Sequence, residues 1–172
     1  SDFRYEGRAA AAWLAQETAG HCNIVEIQGP PDSSPSIERG KGFREVIAMF
    51  PAMKIIATQT GMWREDQARE VMRAHLKAEG RNICAVFAHN DNMAFGAVEA
   101  LEAAKELGLK PGKDVLIIGV DGVRRGFQFL IDKRINALVE CNPLLGKFVL
   151  KVAVDVLNGR SVPARMFLED KV

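Results

Sequence analysis

Four residues in the segments that follow separate apolar runs have side chains suited to binding a polyhydroxylated ligand. They are Arg39, Trp63, Asn90 and Asp121. Arginine, asparagine and aspartate offer fixed sets of hydrogen-bond donors and acceptors to hydroxyl groups. An aromatic ring can cover the apolar C–H face of a sugar ring. If the fold brings these residues together, the set favours a polyol site over a site for phosphate or a fatty acid.

Each residue in this set, and the neighbouring Asp91, also has a simpler structural explanation. Asp91 is expected to be the N-cap of a helix, and Asn90 would then serve the same turn. Trp63 could be a packing residue at a helix start, Arg39 alone could pair with a neighbouring glutamate, and Asp121 opens a common turn dipeptide. The prediction of a site therefore depends on the residues being placed together.

Five apolar runs rich in branched residues are predicted to be strands, with helical patterns between them. The strands are Asn23–Gln28, Lys54–Thr60, Ile83–Ala88, Val115–Val120 and Ala137–Cys141. Alternating strands and helices imply parallel strands joined by right-handed crossovers. The predicted fold is an α/β three-layer sandwich of the flavodoxin-like type, with a parallel five-stranded sheet in the order 2-1-3-4-5. In such a sheet, ligands bind beyond the carboxyl ends of the strands, where the four residues stand.

Six amphipathic patterns are predicted to be helices. They are Phe3–Thr18, Ser36–Phe50, Glu65–Glu79, Asp91–Leu107, Arg124–Asp132 and Pro143–Asn158. The last helix follows a completed sheet, so its apolar face needs another surface. Residues 1–140 are therefore expected to form the sheet-containing lobe, and residues 141–172 a connecting strand, this helix and an irregular tail.

Composition and charge exclude several classes of function. The chain has 23 basic and 22 acidic residues, a net charge of +1, so the sequence gives no sign of nucleic-acid binding. The late apolar stretch is interrupted by Lys147, Lys151 and Asp155, so no segment is expected to span a bilayer. A P-loop, a GxGxxG turn and a serine nucleophile elbow are all missing, and the chain is not expected to be an enzyme. The cysteines do not have metal-ligand spacing, and no metal or cofactor is expected.

Three segments resemble a known family. They are residues 34–43 (SPSIERGKGF), residues 82–97 (NICAVFAHNDNMAFGA), and Lys110–Asp114 followed by IGVDG at residues 118–122. These segments are similar to periplasmic sugar-binding proteins of ABC transporters, of the ribose and galactose type, and nearest to the galactofuranose-binding subgroup. The resemblance implies one lobe of a type I periplasmic binding protein, with the sugar held between two lobes.

The resemblance also assigns ligand contacts on the second lobe of that family. Carried over residue by residue, they fall on Arg39, Trp63, Asn90 and Asp121, with a fifth contact at Cys141 on the hinge strand. Relatives of the ribose type have glutamine at this fifth position, so the chemistry there differs. The implied ligand is a monosaccharide, a pentose or hexose, with the furanose form among the alternatives, and the implied compartment is the periplasm.

The resemblance gives two of the three cysteines a role. Relatives of the galactofuranose type carry cysteines at the positions of Cys22 and Cys84, which implies a disulfide between neighbouring strands. Two unpaired buried thiols are the alternative. A disulfide would fit an oxidising compartment and would count against the competing interpretation, the effector-binding domain of a LacI-type transcription regulator.

Family members are about twice as long as this chain, so the sequence is interpreted as the C-terminal lobe alone. The helix Pro143–Asn158 would then pack on the other lobe, or would pair two copies of the chain as a homodimer. An ABC permease is the expected partner of the full-length protein. Sugar binding by the isolated chain is expected to be weak or undetectable.

Overall fold

The computed structural model describes residues 1–164 and 166, and it has the predicted three-layer α/β architecture. All five strands are parallel and follow the predicted order, β2-β1-β3-β4-β5. They are β1 (Cys22–Gln28), β2 (Met53–Thr60), β3 (Ala85–Ala88), β4 (Leu116–Asp121) and β5 (Ala137–Glu140). The tail predicted for residues 159–172 lies partly outside the described residues, at positions 165 and 167–172.

Six α-helices accompany the sheet. They are α1 (Phe3–Glu17), α2 (Ser34–Ile47), α3 (Glu65–Glu79), α4 (Asp91–Ala103), α5 (Arg124–Ile131) and α6 (Gly146–Leu157), with 3₁₀ turns at Gly80–Asn82 and Lys105–Leu107. The first two helices cover one face of the sheet, around Phe43 and Phe87. The next three cover the other face, around Met72, Phe95 and Phe129. Burial on both faces explains why the strands do not alternate in polarity.

The first two helices pack with their backbones in close contact, and this contact positions Arg39. Asp2 caps α1 by accepting hydrogen bonds from the amides of Arg4 (3.1 Å) and Tyr5 (2.9 Å). A Cβ on Gly7 would fall 2.0 Å from the carbonyl oxygen of Arg39, so only glycine fits there. The approach holds Arg39 of α2 directly against the first turns of α1.

One predicted cap is wrong. Asn90, and not Asp91, is the N-cap of α4, because its Oδ1 accepts a hydrogen bond from the amide of Met93 at 2.9 Å. Asp91 is instead the first residue of the helix and is buried. The carboxylate of Asp91 is therefore used elsewhere, as described below.

The last helix lies apart from the core. It begins at Gly146, three residues later than predicted, and none of its residues is buried. Val149 is 63% exposed and Leu157 is 85% exposed, although both are apolar. Across the described residues, no helix has the length and apolar character needed to cross a membrane.

A disulfide joins Cys22 and Cys84, the pair implied by the resemblance. Cys22 opens β1 and Cys84 directly precedes β3, and their Cα atoms are 5.4 Å apart. Cys141 is a free, partly buried thiol directly after β5.

Candidate functional site

The five residues predicted to bind ligand lie together at the carboxyl-terminal edge of the sheet. Arg39 Nη2 is 3.6 Å from Asp121 Oδ1, and Arg39 Cζ is 5.8 Å from the centre of the Trp63 ring. The side-chain amide of Asn90 points to the carbonyl oxygen of Trp63, at 3.5 Å. The amide of Cys141 donates to the carbonyl oxygen of Asp121 at 3.4 Å. The placement favours a single site over five separate structural roles.

Arg39 is almost fully buried, so the alternative of a surface ion pair is wrong. Its Nε donates to Glu6 Oε2 at 2.6 Å, and its Nη1 donates to the carbonyl oxygen of His89 at 2.6 Å. The Phe3 ring also lies close, 5.5 Å from Arg39 Cζ. Glu6 and Phe3 were missed in the sequence. The sequence held one signal for Glu6. This acidic residue lies four positions before Ala10, on the face of α1 that carries the buried apolar residues.

A second buried pair, His89 and Glu26, adjoins the Arg39–Glu6 pair through the carbonyl oxygen of His89. His89 Nε2 is 3.0 Å from Glu26 Oε1, and both side chains are fully buried. Burial opposes the charged form of Glu26, but the hydrogen bond from His89 and the nearby Arg44 guanidinium outweigh it, and the pKa of Glu26 lies below its usual value. Burial also lowers the pKa of His89. Because Glu26 is a carboxylate that can only accept, Nε2 of the neutral imidazole is the donor.

Strained backbone places the aromatic ring. Met62 and Trp63 have positive φ angles of 54° and 61°, and Asp121 has one of 120°. Non-glycine residues rarely adopt such angles, and they occur most often at binding and active sites. The Trp63 ring lies on Gly29, where a Cβ would come within 2.1 Å of ring atom Cζ2. Glycine after β1 is therefore what allows the ring to lie against the site.

An open depression of about 720 Å³ borders this group of residues, with Asp121, Phe127, Leu138 and Cys141 in its walls. A larger depression, of about 900 Å³, lies between α3 and α4 and contains none of the predicted ligand contacts. In the part of the chain that the structure describes, no three His, Cys, Asp or Glu side chains are grouped to hold a metal ion. The arrangement suits a neutral, hydroxyl-rich ligand.

Residues 1–161 match the family model described as a periplasmic binding protein domain. The chain belongs to this family. The galactofuranose-binding protein YtfQ of Escherichia coli strain K12 is 45% identical over 146 residues, which are 83% of this chain and 45% of that protein. The ribose import binding protein RbsB of Bacillus subtilis strain 168 is 33% identical over 163 residues, covering 94% of this chain and 50% of that protein.

Solved structures show the same relationship for this periplasmic binding protein domain. The arabinose ABC transporter binding protein of Shewanella sp. ANA-3, bound to α- and β-L-arabinofuranose, superposes with a TM-score of 0.92 at 43% identity. The match covers 99% of this chain and 56% of that chain. A galactofuranose-binding protein gives a TM-score of 0.91 at 38% identity, with 99% and 58% coverage. The chain thus spans about half the length of its sugar-binding relatives.

Two carboxyl groups of this binding-protein domain are held in an environment that disfavours their charge. Burial raises the pKa of Asp91 to about 6, even though Oδ2 accepts hydrogen bonds from the amides of Val123 (2.7 Å) and Gly122 (3.0 Å). Burial raises the pKa of Asp121 to about 6 as well, and the positive charge of Arg39 offsets this only in part. The carboxylate of Asp91 fixes the loop that follows Asp121.

These pKa values predict a pH dependence. An unfolded aspartate titrates near about 3.9, so the folded chain binds more protons than the unfolded chain between roughly pH 4 and 6. The contribution of Asp91 and Asp121 to stability is then complete below about pH 4 and is lost as the pH rises to about 6. Ligand affinity should change with pH in the opposite direction, because it should fall as the pH is lowered and Asp121 is protonated.

A carboxyl ¹³C NMR titration checks the two raised pKa values. Asp66, whose pKa is lowered by its hydrogen bond from Arg64, is the internal control. Midpoints near 4 for both buried groups would contradict it.

Proposed function

We propose that this chain forms one side of the sugar-binding cleft of a solute-binding protein that serves an ABC importer. The observation that carries the proposal is the pairing of Arg39 Nη2 with Asp121 Oδ1 at 3.6 Å, beside the Trp63 ring. That spacing is too long for a direct hydrogen bond, so both groups keep capacity for a ligand. Membership of the family and the sugar-binding relatives support the same function.

The proposed ligand is a monosaccharide, a pentose or hexose, in its furanose form. YtfQ is named for galactofuranose, and the Shewanella protein was solved with arabinofuranose. Trp63 would cover the apolar face of the ring, Arg39 would donate to hydroxyl oxygens, and Asp121 would accept from hydroxyl groups. Asn90 would donate through its amide, because its carbonyl oxygen is used to cap α4. Cys141 would form part of the wall.

Binding without catalysis is the proposed activity. The relatives are transport proteins, and His89, the histidine nearest to the site, is fully buried and hydrogen-bonded to Glu26. The Cys22–Cys84 disulfide supports a periplasmic location, because disulfides persist in oxidising compartments. Residues 1–140 would be the sugar-binding lobe, and the permease would be the partner of the full-length protein.

The exposed face of α6 is explained by the same proposal. Its apolar residues would pack on the half of the family architecture that this chain does not span, with residues 141–145 as the connection between the halves. A second copy of this chain is the other candidate for the covering surface. Without a covering half, the site loses part of its contacts and stays open to water, so binding should be weak.

An NMR titration of the chain with L-arabinose, D-galactose and D-ribose tests the proposal. We expect the Trp63 indole and the Asn90 amide signals to shift, with a dissociation constant of about 1 mM or weaker. Gly29→Ala should weaken binding about fivefold, because the new Cβ displaces the Trp63 ring. Gly146→Ala is the matched control, since its Cβ meets open space.

The outcomes separate the parts of the proposal. No shift at the site at about 100 mM sugar would overturn sugar binding. A micromolar affinity for a chain that light scattering shows to be monomeric would overturn the requirement for a second half. The same affinity for a dimer would instead favour a second copy as the covering surface.

A further inference from the structure

We propose that Glu6 of α1 is a positioning residue, which holds the Arg39 guanidinium so that Arg39 and Asp121 both remain available to the ligand. The inference rests on the proposed function and identifies how its site is kept open. Glu6 is fully buried and contacts the Arg39 guanidinium directly. Neither the names of the relatives nor the sequence motifs assign a role to Glu6.

The geometry divides the Arg39 guanidinium among three acceptors. Glu6 Oε2 takes the Nε hydrogen at 2.6 Å, and the carbonyl oxygen of His89 takes an Nη1 hydrogen at 2.6 Å. Nη2 faces Asp121 Oδ1 at 3.6 Å, outside the normal range for an N–H···O hydrogen bond. Two of the three nitrogens are therefore fixed by buried acceptors, and the third is left directed at the partly exposed carboxylate.

Arg39 and Asp121 together offer a donor and an acceptor to a ligand hydroxyl group. A hydroxyl accepts one hydrogen bond and donates another, so its oxygen can accept from Arg39 Nη2 and donate to Asp121. If Arg39 and Asp121 moved closer and formed a hydrogen-bonded ion pair, each would satisfy the other and a sugar would have to break that hydrogen bond. The Glu6 contact opposes this by fixing the guanidinium at Nε.

The electrostatics agree with competition between two carboxylates for one guanidinium. Burial is the main reason that the pKa of Asp121 is raised to about 6, the charge of Arg39 opposes it, and the charge of Glu6 adds to it. Asp91 of α4 and the Cys141 thiol are the other titratable groups that interact with Asp121. Removing the charge of Glu6 should therefore strengthen the attraction between Arg39 and Asp121.

Glu6→Gln tests the inference, because glutamine keeps the shape and an acceptor oxygen but not the charge. We expect about a tenfold loss of sugar affinity, since the Arg39–Asp121 pair closes and a charge-assisted contact to the ligand is lost. We also expect the titration midpoint of the Asp121 carboxyl, followed by ¹³C NMR without sugar, to fall below its wild-type value. Because loss of the Glu6 charge lowers this midpoint by itself, the loss of affinity at a pH where Asp121 is ionised is the reading that reports positioning.

Glu45→Gln is the matched control, because Glu45 binds Arg4 between the same two helices but is exposed and outside the site. It should change neither the affinity nor the Asp121 midpoint. An unchanged midpoint and affinity in folded Glu6→Gln would overturn the inference. If wild type binds no sugar but the Arg39 Nε–H is protected from exchange and loses that protection in Glu6→Gln, the proposed function fails and positioning by Glu6 stands.

A second measurement covers the case in which Glu6→Gln does not fold. In wild type, the Arg39 Nε–H should exchange slowly with water, because Glu6 Oε2 accepts it in a buried position. The Nε–H of Arg64, which donates to Asp66 at the surface, should exchange much faster. Equal exchange rates for the two arginines would overturn the positioning role.

Discussion

Arg39→Met is expected to destabilise the fold by about 3–5 kcal/mol, as well as to abolish sugar binding. Methionine fills a similar volume but leaves Glu6 fully buried without the guanidinium that it binds. Removing one partner of a buried ion pair is costly because the other charge keeps its desolvation penalty. Urea unfolding, analysed with a common m-value, measures the loss.

Arg4→Met is the control for this prediction. Arg4 also joins α1 to α2, through Glu45 and Glu38, but these side chains are exposed. Exposed ion pairs contribute little, since water already solvates both charges. A loss of stability in Arg39→Met no larger than in Arg4→Met would show that burial of the Arg39–Glu6 pair has no consequence for folding.

Removal of the disulfide is the second large effect that we expect. Cys22 and Cys84 close a loop with a sequence separation of 62, and the loop-entropy relation gives about 4 kcal/mol for a loop of this length. The double variant Cys22→Ala/Cys84→Ala should lose about that much, and chemical reduction of wild type should do the same. Unfolding in urea with and without reductant provides both values.

Cys141→Ser is the control here, because Cys141 forms no disulfide. Its stability should remain sensitive to reductant, whereas the double variant should become insensitive. A stability of wild type that does not change on reduction would contradict the prediction. Sugar binding at saturating ligand should survive reduction wherever the chain stays folded, because the disulfide lies at the end of the sheet away from the site.

The sheet could be predicted from sequence because its signals are local. Runs such as Val115–Val120 are apolar throughout, and a helix pattern follows each strand, which leaves few arrangements for parallel strands. The same rule placed Arg39, Trp63, Asn90 and Asp121 at one edge, because carboxyl ends of parallel strands meet there. The ends of the helices and strands were predicted less accurately than their existence, because a helix cap depends on a single hydrogen bond.

The buried charges that organise the site could not be predicted in the same way. Glu6 is separated from Arg39 by more than two helical turns of α1 and a whole strand, so only tertiary structure brings them together. Glu26 within an apolar strand was a visible anomaly, yet its partner His89 lies on another strand. The N-cap of α4 was predicted wrongly for the same reason, since it depends on tertiary contacts. Asp91 accepts hydrogen bonds from the amides that follow β4, and Asn90 caps the helix.

The position of the disulfide separates two properties of the domain. Cys22 and Cys84 join β1 and β3 where those strands begin, and the proposed ligand contacts stand at or beyond the opposite ends of the strands. The covalent link therefore lies at one end of the sheet and the proposed ligand contacts at the other. Substitution of a proposed ligand contact should therefore leave the covalent link between the two central strands intact.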